Sequence, residues 1–264
     1  MTVWILLGVA MLLAGLEYSD LDVEAYLERL AGLARAVARS MPGPDHPYEA
    51  IEHIARFLHQ EVGLSGNLEC YDDPRNSFLN DVLDRRLGIP ISLSVIWIDV
   101  GRRLGLPIEG VGLPGHFIVR WRLPDLPSSE RILIDPFHGG IVLTLGDCER
   151  RLEENFGPMA WYHGILAPAS DLAIIGRMLL NLKTIYARAE DHERLVAVLQ
   201  LFMLVKPNAT EELRDLGLSL LRLGHREPAV KCLVRYLELV PDAPEADSVR
   251  ELILQSRRET ARWN

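Results

Sequence analysis

Leu113-Pro114-Gly115-His116-Phe117-Ile118-Val119-Arg120-Trp121, followed by Arg131-Ile132-Leu133-Ile134-Asp135-Pro136-Phe137, carries the decisive pattern in this chain. Both are short runs rich in β-branched and aromatic residues, bounded by Gly, Pro, Ser or Asp, and so read as strands. Joined as a hairpin, with the segment 123–130 placing the midpoint near residue 126, they set Ile118 roughly opposite Asp135. His116 and Asp135 then share one end and, in that register, one face. A carboxylate that holds an imidazole in one tautomer is the orienting half of a nucleophile–His–Asp site.

The missing member, a nucleophile, is best supplied from a helix N-terminus, where backbone N–H groups and the dipole stabilise an anion. Gly88-Ile89-Pro90-Ile91-Ser92-Leu93-Ser94 opens such a helix and contains no cysteine. Leu93, Ile96, Trp97, Val100 and Leu104 give it a broad apolar face, and Gly105 and Pro107 stop it. A second helix signal precedes it at Asn76–Arg86, and the runs 107–113, 116–121, 131–137 and 142–145 follow as strands. Helix first and antiparallel strands after is an α+β order.

Towards the N-terminus, Val3–Leu16 is a continuous apolar run. Its length as a helix is about 21 Å, short of a hydrocarbon core of about 30 Å, and no Lys or Arg precedes Arg29. A buried first helix is the expectation, with an export signal or anchor as the other reading. A second helix then starts at Ser19 or Asp20 as N-cap, with Val23, Leu27, Leu30, Leu33 and Val37 as its apolar stripe. The segment 41–47 breaks it, and a third helix begins near Pro47.

Towards the C-terminus the chain is all helix. Pro207 and Pro241 stand 34 residues apart, which is the tetratricopeptide period. Leu179, Leu182, Tyr186, Leu195, Leu199 and Phe202 fall on the packing positions of a first copy. Leu213, Leu216, Gly217, Leu220, Ala229, Leu233 and Tyr236 fall on those of a second. Gly217 and Ala229 are the small residues that close helix approach needs; the first copy has Lys183 and Leu195 instead. A last helix from Glu245 caps the stack. An unrelated helical bundle is the competing reading.

With 28 basic and 37 acidic residues the net charge is −9, which lacks the positive footprint that phosphate backbones and anionic membranes require. Nucleic acid and membrane are therefore not expected partners. Cys70, Cys148 and Cys232 form no pair at metal or disulfide spacing, so a reducing cytoplasm fits, and no cofactor is expected. His116, Asp135 and His138 offer a facial set in principle, yet no HxxxH or Cys cluster accompanies them, so no metal is expected.

The segments 73–94 (DPRNSFLNDVLDRRLGIPISLS), 102–121 (RRLGLPIEGVGLPGHFIVRW) and 133–140 (LIDPFHGG) resemble the transglutaminase-like superfamily, in its bacterial SirB-type branch with C-terminal tetratricopeptide repeats. The resemblance covers nearly the whole chain. It implies N-terminal helices over 1–62, a papain/transglutaminase-like core over 63–168 with its helix and antiparallel sheet, and repeats over 169–264. It also implies that the first apolar run belongs to the fold. Superfamily enzymes use a Cys-His-Asp triad, and His116 and Asp135 match its last two members. Where those enzymes have G-x-C, this chain has Gly88-Ile89-Pro90, so Pro90 takes the place of the cysteine.

Allowing for variation in helix length, Ser92 comes to the same place, and a serine there requires His116 as general base. Ser92 and Ser94 also read as capping groups, Asn76 and Asn80 as cleft donors or helix-start signals, and His138 as a competitor for Asp135 or a turn residue. Two functions follow. One is a non-catalytic adaptor or regulator that binds protein or peptide through its repeats. The other is an acyl-transfer hydrolase, peptidase or amidase-like, built on Ser92, His116 and Asp135.

Overall fold

A computed structural model describes residues 3–41, 43, 46–123, 131–157, 161–162 and 164–263. The segment 124–130, read above as the hairpin connection, and part of the segment 41–47 lie outside the described residues. The chain divides into two compact units, 1–178 and 179–264.

The first unit is built around helix α5 (Pro90–Arg103), whose residues 90–101 are all buried. Against it pack α1 (Val3–Ala14), α2 (Val23–Ser40) and α4 (Leu79–Arg85). The apolar first run is thus a core helix, with Leu6, Leu7, Ala10 and Met11 at most 1% exposed. Among the described residues no helix is long and apolar enough to cross a membrane. The cap of α2 differs from expectation. Asp22, not Ser19 or Asp20, accepts the Ala25 N–H, because the chain runs in a turn through Asp20 before helical geometry begins. Its buried face is Leu30, Ala31, Ala34 and Val37, while Leu27 and Leu33 are half-buried. Helix α3 (Pro47–Ala55) starts on its proline as read, and runs on as a π-helical turn over Arg56–Glu61.

Behind α5 lies a four-stranded antiparallel sheet in the order β3-β4-β5-β6, with β3 Ile108–Leu113, β4 His116–Arg122, β5 Arg131–Asp135 and β6 Ile141–Leu143. Val119 pairs with Ile134 and Arg120 with Leu133, so continuing the ladder by one step sets Ile118 opposite Asp135. A tight turn at Pro114-Gly115 joins β3 to β4, with Gly115 at φ +67°. Two elements had no legible signal. One is a two-residue parallel ladder of β1 (Ser65–Gly66) with β2 (Leu87–Gly88). The other is α6 (Leu145–Phe156), capped by Thr144 and Asp147 in a reciprocal box.

The second unit carries the repeats. Helices α8 (His192–Val205), α9 (Thr210–Arg222), α10 (Arg226–Leu239) and α11 (Ala246–Trp263) follow the C-terminal part of α7 (Asp171–Arg188), each packed on the next along α8 to α11. Every packing position read from the period is buried, from Leu179 at 1% and Leu182 at 0% to Leu233 at 0% and Tyr236 at 3%. In the first copy Lys183 takes the place of the small residue, and its ammonium lies 3.0 Å from Glu212 Oε1 and 2.7 Å from Asp215 Oδ2 on α9. At Gly217 an added Cβ would lie 2.7 Å from both Cγ and Cδ2 of Leu233. Gly217→Val is therefore expected to overpack the α9–α10 contact and cost about 1–3 kcal/mol in urea unfolding. Unchanged stability would show that the two helices separate freely there.

Candidate functional site

His116 is the first residue of β4 and Asp135 the last of β5, so the hairpin register alone brings them together. His116 Nε2 lies 2.9 Å from Asp135 Oδ2, and both side chains are buried. After Asp135 the chain turns into one 3₁₀ turn, Pro136–His138, which Asp135 caps by accepting the Phe137 N–H at Oδ1 (3.1 Å). That turn swings His138 back, placing its Nδ1 2.8 Å from the same Oδ2. Phe137 packs edge-on against His116, with ring centroids 6.2 Å apart. On its other side Gly66 leaves room that a Cβ would fill at 2.6 Å, which explains why the small parallel ladder matters to the site.

Arg151 completes the set. It comes from α6, and its Nη1 donates to Asp135 Oδ2 at 2.9 Å. Burial by itself would raise the Asp135 carboxyl, but the hydrogen bonds from His116, His138 and Arg151 outweigh it and hold the group well below the usual carboxylate range. Arg151 escaped the sequence reading because its helix did.

His116, Phe137, His138 and Arg151 line a cavity of about 360 Å³, together with Tyr71, Pro90 and Phe156, while Asp135 lies buried behind them. Pro90 thus shares the cleft with the imidazole. Ser92 does not line it: the side chain is fully buried, and Oγ donates to the Asn76 carbonyl at 2.7 Å while accepting the Ile89 N–H at 3.0 Å. Its hydroxyl closes the N-terminus of α5 and has no hydrogen bond to His116 among the described residues. Ser94 is likewise buried, 3.4 Å from the Phe117 carbonyl.

Asn76 and Asn80 are not cleft donors. Asn76 Nδ2 donates to the carbonyls of Cys70 and Tyr71, and its Oδ1 accepts from Asn67, so the whole amide is committed to holding the loop 67–76. Asn80 is buried on α4, away from the cavity lining. No cysteine substitutes for the missing one. Cys148 sits in a core cluster with Val111, Ile118 and Leu133, where burial pushes its thiol up to about 11. Cys70 is exposed and does not line the cavity.

A buried His–Asp pair at the start and end of adjacent antiparallel strands, facing the N-terminus of a central helix, matches the sequence comparison. The profile of the transglutaminase-like superfamily aligns with residues 24–180, and a tetratricopeptide-repeat profile with residues 182–253. The chain belongs to the transglutaminase-like superfamily. Within it, the bacterial SirB-like branch holds its full-length relatives. A UPF0162 protein of Xylella fastidiosa is 40% identical over 257 residues, covering 93% of this chain and 87% of that one. A UPF0162 protein of Vibrio cholerae is 32% identical over 203 residues, covering 75% and 73%. Mouse F-box only protein 21 is 36% identical over 105 residues, which is 38% of this chain and 17% of that protein. No solved structure gives a significant match. In this transglutaminase-like chain the domain pair is of a protein-interaction type, since tetratricopeptide repeats generally mediate protein contacts.

Proposed function

We propose that this transglutaminase-like protein is a non-catalytic adaptor or regulator of the cytoplasm that binds a protein segment through its repeat unit. One observation supports this most. At the helix N-terminus beside His116 the side chain in the cleft is Pro90, while the two hydroxyls of the motif are buried, Ser92 on the helix cap and Ser94 against the Phe117 carbonyl. A proline has no nucleophilic atom, and a serine without a base keeps its proton. A net charge of −9 and three free cysteines fit a polypeptide partner in a reducing compartment.

The alternative, a hydrolase using Ser92, gains nothing from this geometry. A serine-directed phosphonate probe is expected to leave the full chain unlabelled. Ser92→Ala is expected to cost about 0.5–2 kcal/mol of stability through the lost cap and to leave partner capture unchanged. Labelling that vanishes in both Ser92→Ala and His116→Ala would overturn the proposal.

A further inference from the structure

Asp135 Oδ2 has three nitrogens around it: His116 Nε2 at 2.9 Å, His138 Nδ1 at 2.8 Å and Arg151 Nη1 at 2.9 Å. A carboxylate has about four lone-pair directions over its two oxygens. Three donors on one oxygen over-subscribe it, while among the described residues Oδ1 takes the Phe137 N–H alone. The crowding is relieved if the two imidazoles present lone pairs, not hydrogens, to a cation that they share with the carboxylate.

Two imidazole nitrogens and one carboxylate oxygen form the donor set of a three-ligand transition-metal site. The three ligand atoms lie within 4.8 Å of one another. Around an ion held at about 2.0–2.1 Å, neighbouring ligand atoms stand roughly 2.9–3.4 Å apart. The two His–Asp separations, 2.9 and 2.8 Å, lie at and just below the near end of that span. The Phe137 N–H on Oδ1 supplies the outer hydrogen bond that orients a ligating carboxylate. His138 is 39% exposed and opens on the cavity, so water can reach the remaining coordination positions. Arg151, 34% exposed, has solvent to withdraw into. The sequence offers the same three residues as a facial set, and the expectation of no metal rests on the absence of an accompanying HxxxH or Cys cluster.

We propose that His116 Nε2, Asp135 Oδ2 and His138 Nδ1 bind one divalent transition-metal ion of the zinc class, and that Arg151 is the cation that competes with it for the carboxylate. Each imidazole binds as the neutral ring with its proton on the other nitrogen, and any imidazolium releases its proton to solvent on binding. This goes beyond the protein-binding reading and does not rest on it.

The test is a calorimetric titration of zinc into the full chain after chelator treatment, with cobalt absorption as a second readout. One equivalent is expected to bind. His138→Ala, at a partly exposed position, is expected to weaken binding by about 100-fold or more, beyond the roughly 10–100-fold that losing an outer-shell partner costs. Arg151→Gln is expected to tighten zinc binding by about tenfold, the lower end of that range, since it removes the competitor. Cobalt should show ligand-field bands of nitrogen and oxygen donors that disappear in His138→Ala, with circular dichroism confirming that the variant is folded. Absence of stoichiometric binding, binding that survives His138→Ala, sulfur charge-transfer bands, or weaker zinc binding in Arg151→Gln would each overturn the proposal.

Discussion

Trp97→Ala is expected to cost about 3–5 kcal/mol, the range for truncating a buried aromatic without full collapse of the surroundings. Trp97 is 1% exposed in the middle of α5, and an added Cβ at Gly140 would lie 2.7 Å from its Cζ2, so its neighbours already press on the ring. Its Nε1–H donates to His59 Nε2 at 3.1 Å, and His59 Nδ1 in turn donates to the Leu64 carbonyl at 2.7 Å. Burial lowers the His59 pKa, which keeps the ring neutral and able to accept. Trp97→Phe should keep most of the volume and lose chiefly the hydrogen bond, about 1–2 kcal/mol. Urea unfolding of both variants separates the terms. A Trp97→Ala loss below that of Trp97→Phe would refute the packing account.

Asp135→Ala is expected to cost about 3–5 kcal/mol, because it removes a fully buried carboxylate from the buried His116 and the Phe137 N–H, with a smaller share from the half-exposed His138 and Arg151. The four groups affected are His116, His138, Arg151 and the Phe137 N–H. The pH dependence has a definite sign. The folded Asp135 carboxyl lies below its unfolded value near 3.9, so its contribution is complete above that pH and is lost as pH falls towards the folded value. The gap between wild type and Asp135→Ala, measured by urea unfolding in chelator at pH 5 and 3, should shrink at the lower pH. A gap that widens on acidification would mean that Asp135 is stabilised in its protonated form.

The sequence spoke clearly where a repeating pattern met a single structural solution. Leu179 through Tyr236 obey the 34-residue period because each helix pair buries the same positions against its neighbours. The His116–Asp135 pairing was legible because strand alternation and one turn length determine which residues face each other. Other features were invisible because they depend on contacts between elements far apart in sequence. Ser92 reads as a cap or a nucleophile, and the structure commits it to the cap through the Ile89 N–H and to the Asn76 carbonyl, 16 residues away. His138 reads as a competitor for Asp135 or a turn residue and is both, whereas Arg151 needed a helix that the sequence reading did not place. Helix α2 began later than its first two capping candidates because a turn intervenes before Asp22.

Pro90 has a consequence for how such a protein changes over evolutionary time. It occupies N1 of α5, a position that uses no backbone N–H, so proline fits there without strain and leaves the rest of the helix untouched. Everything around it that an acyl-transfer centre would need, the oriented imidazole, the ionised carboxylate and the open cleft, persists on elements held by their own packing. The identity of that one side chain and the integrity of the scaffold are therefore uncoupled. A change at position 90 alters what faces the imidazole without disturbing the elements that hold it.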